Sequence, residues 1–372
     1  MTSADFAEIH DELRAVARDL LGGTTRDARR GAGRAGRPAA VEWRQLAASG
    51  WLGLEIPAAL DGAGATFAEV AVIVTELGRA AARSSYLGAV VLGTGTLTLL
   101  AASPGRDELL RQAASGAVRP AAALADGTDG RVAGGVPFRI ERSSRGLRLH
   151  GRAAFVPDVT EADRLLLLAL DPAGAAVIAA VEPQARGVGC VRQPVLDATR
   201  SLGLVTADGV EVSEDSIWRF GGDPDAAVAR LLDRAAVAVA CDSLGLSEAM
   251  LDATVAYAKV REQFGRPIGS FQAVKHACAD MLVQISVSRH LVLAAVQGLA
   301  DDDPAASVAA SMAKSHACGA AVDVVGKAMQ LHGGIGYTWE SGIHAYLKRA
   351  SLNRSLFGSP AAHRARLAQR YR

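Results

Sequence analysis

The spacing of apolar positions changes twice along the chain. From residue 3 to about 118, Ala and Leu recur at i, i+3 and i+4 among charged residues, as in "ADFAEIHDELRAVARDLL" and "FAEVAVIVTELGRAAARS". That period predicts amphipathic helices. The Gly/Arg-rich insert "GGTTRDARRGAGRAGRP" interrupts them and reads as a surface loop. From about 119 to 218 the pattern shifts to short segments punctuated by Gly, Pro and Asp: "GLRLHGRAAFVPD", "DRLLLLAL", "AAVIAAV" and "LGLVTADGVEV". These predict strands joined by tight turns. From about 225 helices return. Ala226 to Val260 is almost continuously Ala, Val and Leu, as expected of a helix inside a bundle. "DDDPAAS" then stops one helix and starts the next, with Pro304 suited to a first turn. The expected architecture is multidomain α+β: an N-terminal helical domain over 1–118, a small β-barrel or sandwich over 119–222, and a C-terminal four-helix bundle over 223–372.

Composition narrows the function classes. The 40 Lys and Arg against 39 Asp and Glu leave a formal charge of +1, so no bulk field draws the chain to nucleic acid or an anionic membrane surface. Cys190, Cys241, Cys278 and Cys318 lie far apart without metal-ligand spacing, which predicts free thiols and no metal site. The acidic start "MTSADFAEIHDELRAV" lacks the basic and apolar regions of an export signal. The longest apolar run, "LLLLALDPAGAAVIAAV", is broken by Asp171, Pro172 and Gly174. The expectation is a cytoplasmic protein with no membrane or nucleic-acid partner.

Two segments carry candidate chemistry. In "YAKVREQFGRPIGSFQAVKH" (257–276) a helix bearing Arg261 is expected to end near Gly265, with a second starting near Ser270 and Gln272 in its first turn. Such a junction gathers a cation, an aromatic and an amide beside free backbone donors, or is merely a capped corner. In "MQLHGGIGYTWE" (329–340) paired glycines let a backbone approach a ligand closely.

Taken together, with the order helices, β domain, helices, the chain resembles the acyl-CoA dehydrogenase family over nearly its whole length. "GWLGLEIPAALDGAGATFAEVAVIVTELGR" is similar to the family's N-terminal signature, and the R-E-Q-F-G-x-P-I-x-x-F-Q and Q-x-x-G-G-x-G-Y motifs stand nearly intact. The resemblance implies FAD as cofactor. It assigns Arg261, Phe264 and Gln272 to the pyrophosphate and adenosine end, and Gln330, Gly333 and Gly334 to the receiving surface of a neighbouring chain, so that FAD binding requires at least a dimer. It further implies an acyl-CoA substrate, α,β-desaturation, and electrons passed to an electron-transfer flavoprotein.

Two departures stand out. The family's flavin-covering stretches correspond to "ALADGTDG" (123–130) and "AFVPD" (154–158). There Phe155 can pack on the ring, but Pro157 replaces a threonine and has no hydroxyl or N–H to offer. The base is the second. The family's glutamate falls at Gly358 or, in other members, near Ala235; neither is an acid. Asp242 lies two turns beyond Ala235 on the same apolar helix and is the remaining candidate base. Its alternative is a structural aspartate paired to an arginine. Asp233 and Glu248 are weaker candidates, His332 reads as a packing residue, and Glu340 resembles a family position that pairs with a cation. Gly358 keeps its backbone N–H, which in the family polarises the thioester carbonyl. Three functions follow: a self-sufficient dehydrogenase using a relocated acid; a base-less subunit sharing FAD within a heteromer that takes bulky CoA thioesters; or a flavin-free acyl-CoA binding scaffold. The first two would work as a homo-oligomer or as a hetero-oligomer with a second dehydrogenase-like chain.

Overall fold

The structure is a computed structural model that describes residues 3–30, 40–128, 135–144 and 146–370, with backbone alone for 3–8 and 23–30. The N-terminal part is helical: α1 (Ser3–Arg30), α2 (Trp43–Ala48), α3 (Phe67–Arg79), a π-helical segment Leu87–Thr94 that runs into α4 (Gly95–Thr98), and α5 (Pro104–Ser115). Local chemistry sets the starts. Thr66 and Glu69 form a capping box at α3, and Ser103 caps α5 with Pro104 at its first position. α1 continues as helix to Arg30, through the first half of the insert expected to be loop. The remainder of that insert lies outside the described residues.

The middle of the chain supplies β1 (Pro120–Ala123), β2 (Phe138–Ser143), β3 (Gly146–Pro157), β4 (Arg164–Leu170), β5 (Ala176–Val181), β6 (Val188–Gln193), β7 (Leu202–Val212) and β8 (Ile217–Arg219). They form one mixed sheet in the order β6-β7-β3-β2-β4-β5-β8, with β1 joined parallel to β4. The uninterrupted leucines of β4 have a simple cause. Leu165 and Leu167 point into a core enclosed by the strands, whereas Leu166 and Leu168 point into the helical core, so both faces are buried.

The last part begins at α6 (Pro224–Val260), capped by Asp223. A short hairpin, β9 (Glu262–Gln263) with β10 (Arg266–Pro267), leads to α7 (Gln272–Ala300), α8 (Ala306–Leu331), α9 (Ile343–Ser355) and α10 (Pro360–Arg370). α3 crosses α6 at unusually close range. A methyl group on Gly245 would lie 2.0 Å from the Thr75 carbonyl oxygen, and one on Gly78 would lie 2.2 Å from that of Asp242. This crossing ties the first part of the chain to the middle of α6.

α7 corrects the sequence reading of apolar runs. By length and composition it could cross a membrane, although it packs against α6 and α8. The broken run expected to come closest forms β4 and β5 instead. Leu282, Val283, Val287 and Leu293 lie on α7 and remain exposed.

Candidate functional site

The two motif segments meet in space. α6 ends one residue before Arg261, earlier than expected; the Arg261 N–H donates to Tyr257 O at 2.9 Å and closes the helix. Phe264 and Gly265 then form the hairpin tip with φ of 54° and 75°, as a tight two-residue turn requires. The Phe264 ring stands 91% exposed, edge-on to Phe271, whose face carries the Arg266 guanidinium at 4.2 Å. Gln272 opens α7. Gln330 lies exposed near the end of α8, and Gly333 and Gly334 occupy the following turn. Tyr257 stacks on His332 at 4.5 Å and joins the two segments, while His332 Nδ1 lies 2.7 Å from Ala328 O. His332 is thus a packing residue.

This surface is open. Methyl groups added at Gly333 or Gly334 would meet nothing within 4 Å. Among the described residues, the Arg261, Gln272 and Gln330 side chains make no hydrogen bond or ion pair. A guanidinium, two amides and accessible glycine backbone suit a large anion. Glu340 differs from expectation: it is exposed, and hydrogen bonds from its own backbone and from Thr338, not a cation, lower its carboxyl.

Phe155 is positioned by a bulge. The β3–β7 register slips between Ala153 and Val156, and Phe155 takes φ 57° there, with its N–H donating to Gln193 Oε1 at 2.5 Å. Bulges re-aim side chains in this way. Pro157 follows it, paired with Leu202 of β7. Asp158 turns inward and accepts the Gly88 N–H at 2.8 Å. Burial pushes its carboxyl up to about 7, against the opposing pull of the Gly88 N–H and Arg200. "ALADGTDG" is described only to Thr128; its last two residues lie outside the described residues.

Asp242 is buried and fully engaged. Arg349 donates through Nε to Oδ2 at 2.9 Å and through Nη2 to Oδ1 at 2.5 Å; Asn353 Nδ2 donates to Oδ2 at 2.6 Å; Arg200 Nη2 lies 3.1 Å from Oδ1. Burial alone would raise its carboxyl, but the charges of Arg349 and then Arg200 reverse that and hold it at about 2. The arginine-paired alternative therefore describes its geometry, and a carboxylate so held is a poor proton acceptor. Asp233 is likewise gripped by Arg366, and Glu248 by Arg79 and Arg289. Ala235 is fully buried. Arg349, Arg200 and Asn353 carry no sequence signal of this role, because each becomes a partner of Asp242 only through the fold.

Gly358 follows α9 in a left-handed turn, with φ 56° at Phe357 and 95° at Gly358. Its N–H donates to Thr128 O at 2.9 Å. The amide of this turn is thus presented to a carbonyl oxygen from a distant part of the chain.

Residues 7–117 match the family described as "Acyl-CoA dehydrogenase, N-terminal domain", and residues 225–371 match "Acyl-CoA dehydrogenase, C-terminal domain". The chain belongs to the acyl-CoA dehydrogenase family. It is 34% identical over 322 residues to acyl-CoA dehydrogenase IpdE2 of Mycobacterium tuberculosis, covering 86% of this chain and 82% of that protein. It is 33% identical to acyl-CoA dehydrogenase FadE34 of the same organism, covering 92% of this chain and 46% of that one. Among solved structures, a variant of the Tcur3481–Tcur3483 steroid ACAD is 29% identical, with TM-score 0.81 and coverage of 98% and 97% of the two chains. The ChsE4–ChsE5 complex of M. tuberculosis is 25% identical, with TM-score 0.84 and coverage of 100% and 98%.

Proposed function

We propose that this chain is an FAD-sharing subunit of a heteromeric acyl-CoA dehydrogenase, in which a second dehydrogenase-like chain provides the base. The observation that carries this reading is Asp242. It is held by two arginines and an asparagine, Asp233 and Glu248 are likewise held by arginines, and the usual positions themselves are Ala235 and Gly358. Members of the family bind FAD, and the residues here fit its phosphate end: Arg261 is open, and Gly333 and Gly334 leave room for close backbone approach. FAD supplies the acceptor for the hydrogen that leaves the β carbon with its electron pair. Arg261 and Gln272 would fix the cofactor's phosphates; Gln330, Gly333 and Gly334 would receive the cofactor of the adjoining chain. Phe264 would pack across that interface, Phe155 would cover the ring, and the Gly358 N–H would hold the thioester oxygen, replacing Thr128 O. Pro157 offers no hydrogen bond to the ring edge. Electrons would leave to an electron-transfer flavoprotein.

The exposed apolar residues of α7 and the hairpin support assembly with another chain. Resemblance to the steroid ACAD and to the ChsE4–ChsE5 complex supports bulky, ring-bearing CoA thioesters as substrates and a hetero-oligomeric form. The test is anaerobic addition of an acyl-CoA panel to the FAD-loaded chain, alone and mixed with its second chain. The visible flavin band should persist with the chain alone and bleach in the mixture. Bleaching by the chain alone, abolished in Asp242→Asn, would establish the self-sufficient enzyme instead.

A further inference from the structure

We infer that His363 is a positioning residue for the Gly358 amide, an inference that rests on the reading of that amide as the thioester oxygen's donor. Phe357 C=O and Gly358 N–H are the two ends of one peptide. His363, buried on α10, places Nε2 2.9 Å from Phe357 O and Nδ1 3.3 Å from Ser311 Oγ of α8. The carbonyl needs a donor, so Nε2 carries the proton and Nδ1 accepts from the Ser311 hydroxyl. Burial lowers the imidazole's basicity; the hydrogen bond to Phe357 O opposes it, the Lys314 and Arg366 charges lower it further, Asp233 opposes them, and the net shift is downward, which favours the neutral ring.

Lys314 completes the grip. Its buried Nζ donates to Asn353 O at 2.9 Å and Arg354 O at 3.3 Å, pinning the end of α9. Two successive left-handed residues, one of them a phenylalanine, persist only where the surroundings hold them. A donor on the carbonyl oxygen also polarises the amide and strengthens the N–H at its other end. His363 therefore both aims and activates the Gly358 amide without touching the substrate.

The test measures binding of butyryl-CoA, octanoyl-CoA and a sterol-side-chain CoA thioester by calorimetry to the full chain saturated with FAD. Each is compared with the thioether in which CH2 replaces the carbonyl. The wild type should prefer the thioester by roughly 5- to 10-fold, the worth of one hydrogen bond. In His363→Leu the preference should fall to about 2-fold or less, and His363→Gln, which restores a donor, should recover most of it. Ser311→Ala, which leaves the imidazole in place but loosens its tautomer, should fall between. A structural role alone would weaken thioester and thioether equally. An unchanged preference in both the Leu and Ala variants overturns the role of His363 while leaving the amide's role intact. A wild type that binds both ligands equally, or neither, overturns the two together.

Discussion

Asp242 lies within α6 and Arg261 just past its end, and the two are treated in opposite ways. In the middle of α6, Asp242 is enclosed and meets donors from α9 and from the loop before β7. Just past the end of α6, Arg261 faces outward beside Phe264 and the open glycine turn, without a side-chain partner among the described residues. A charge satisfied inside the chain serves the fold, whereas a charge left outside with room beside it awaits something from elsewhere. Changes at the first should therefore register as stability, and changes at the second as binding.

The largest effect is expected at the enclosed end. Arg349→Leu removes two hydrogen bonds from Asp242 and leaves a buried carboxylate undercompensated, which should cost about 3–5 kcal/mol in urea unfolding. Because the native carboxyl is held at about 2, below its unfolded value, Asp242 contributes stability that is present above the ordinary carboxylate range. That contribution should disappear as pH falls toward 2, and the acid limb of the stability curve should flatten in Asp242→Asn. Loss of flavin reduction in Asp242→Asn without any loss of stability would break the comparison.

Asp158 sharpens the comparison, because it is buried without a cation in contact among the described residues. Its native carboxyl is raised to about 7, so the unfolded chain releases the proton first and stability falls as pH rises from about 4 to 7. Asp158→Asn keeps an oxygen for the Gly88 N–H and removes the charge. It should be near neutral at pH 4 and stabilising by about 2–4 kcal/mol at pH 8, measured by thermal unfolding at both pH values. Equal effects at the two pH values would show that Asp158 is ionised throughout.

These two carboxylates also mark where sequence stopped being informative. The long Ala/Val/Leu run identified α6 as buried, since a helix apolar on every side has nowhere else to go. β3, β4, β5 and β7 were legible from alternation or unbroken apolar character between turn residues. β1 and β8 are four and three residues long, and β6 is half exposed, so none carries a period that can be recognised. The two motif segments were legible as segments because each is a run of residues close together in sequence, although their meeting through Tyr257 and His332 was not. Asp242 was legible as a buried acid, but its fate depended on Arg349, 107 residues away. No local pattern encodes that pairing. The bulge that aims Phe155 was hidden for the same reason, being a register slip against a distant strand.

At the outward end, Arg261→Ala should leave unfolding within about 0.5 kcal/mol of the wild type, as for an exposed side chain without internal partners. FAD affinity should drop roughly 10- to 100-fold, the value of a charge-assisted hydrogen bond, read as flavin lost on gel filtration. A stability loss larger than the binding loss would place Arg261 with Asp242 and remove the contrast.

The smallest effect on the chain itself belongs to Phe264. Its ring is 91% exposed at a hairpin tip, edge-on to Phe271 at 6.1 Å, so Phe264→Ser removes almost no buried area from the folded chain. Its unfolding should be indistinguishable from wild type. An exposed aromatic held on a fixed two-residue turn is, however, well suited to anchor an interface, because little conformational freedom is lost when it docks. The subunit dissociation constant should rise about tenfold or more in analytical ultracentrifugation, and flavin occupancy should then fall with dilution more steeply than in the wild type. If occupancy instead stays constant on dilution while the subunits separate, the cofactor is held within one chain, and the open surface around Arg261 and Gly333 serves assembly alone.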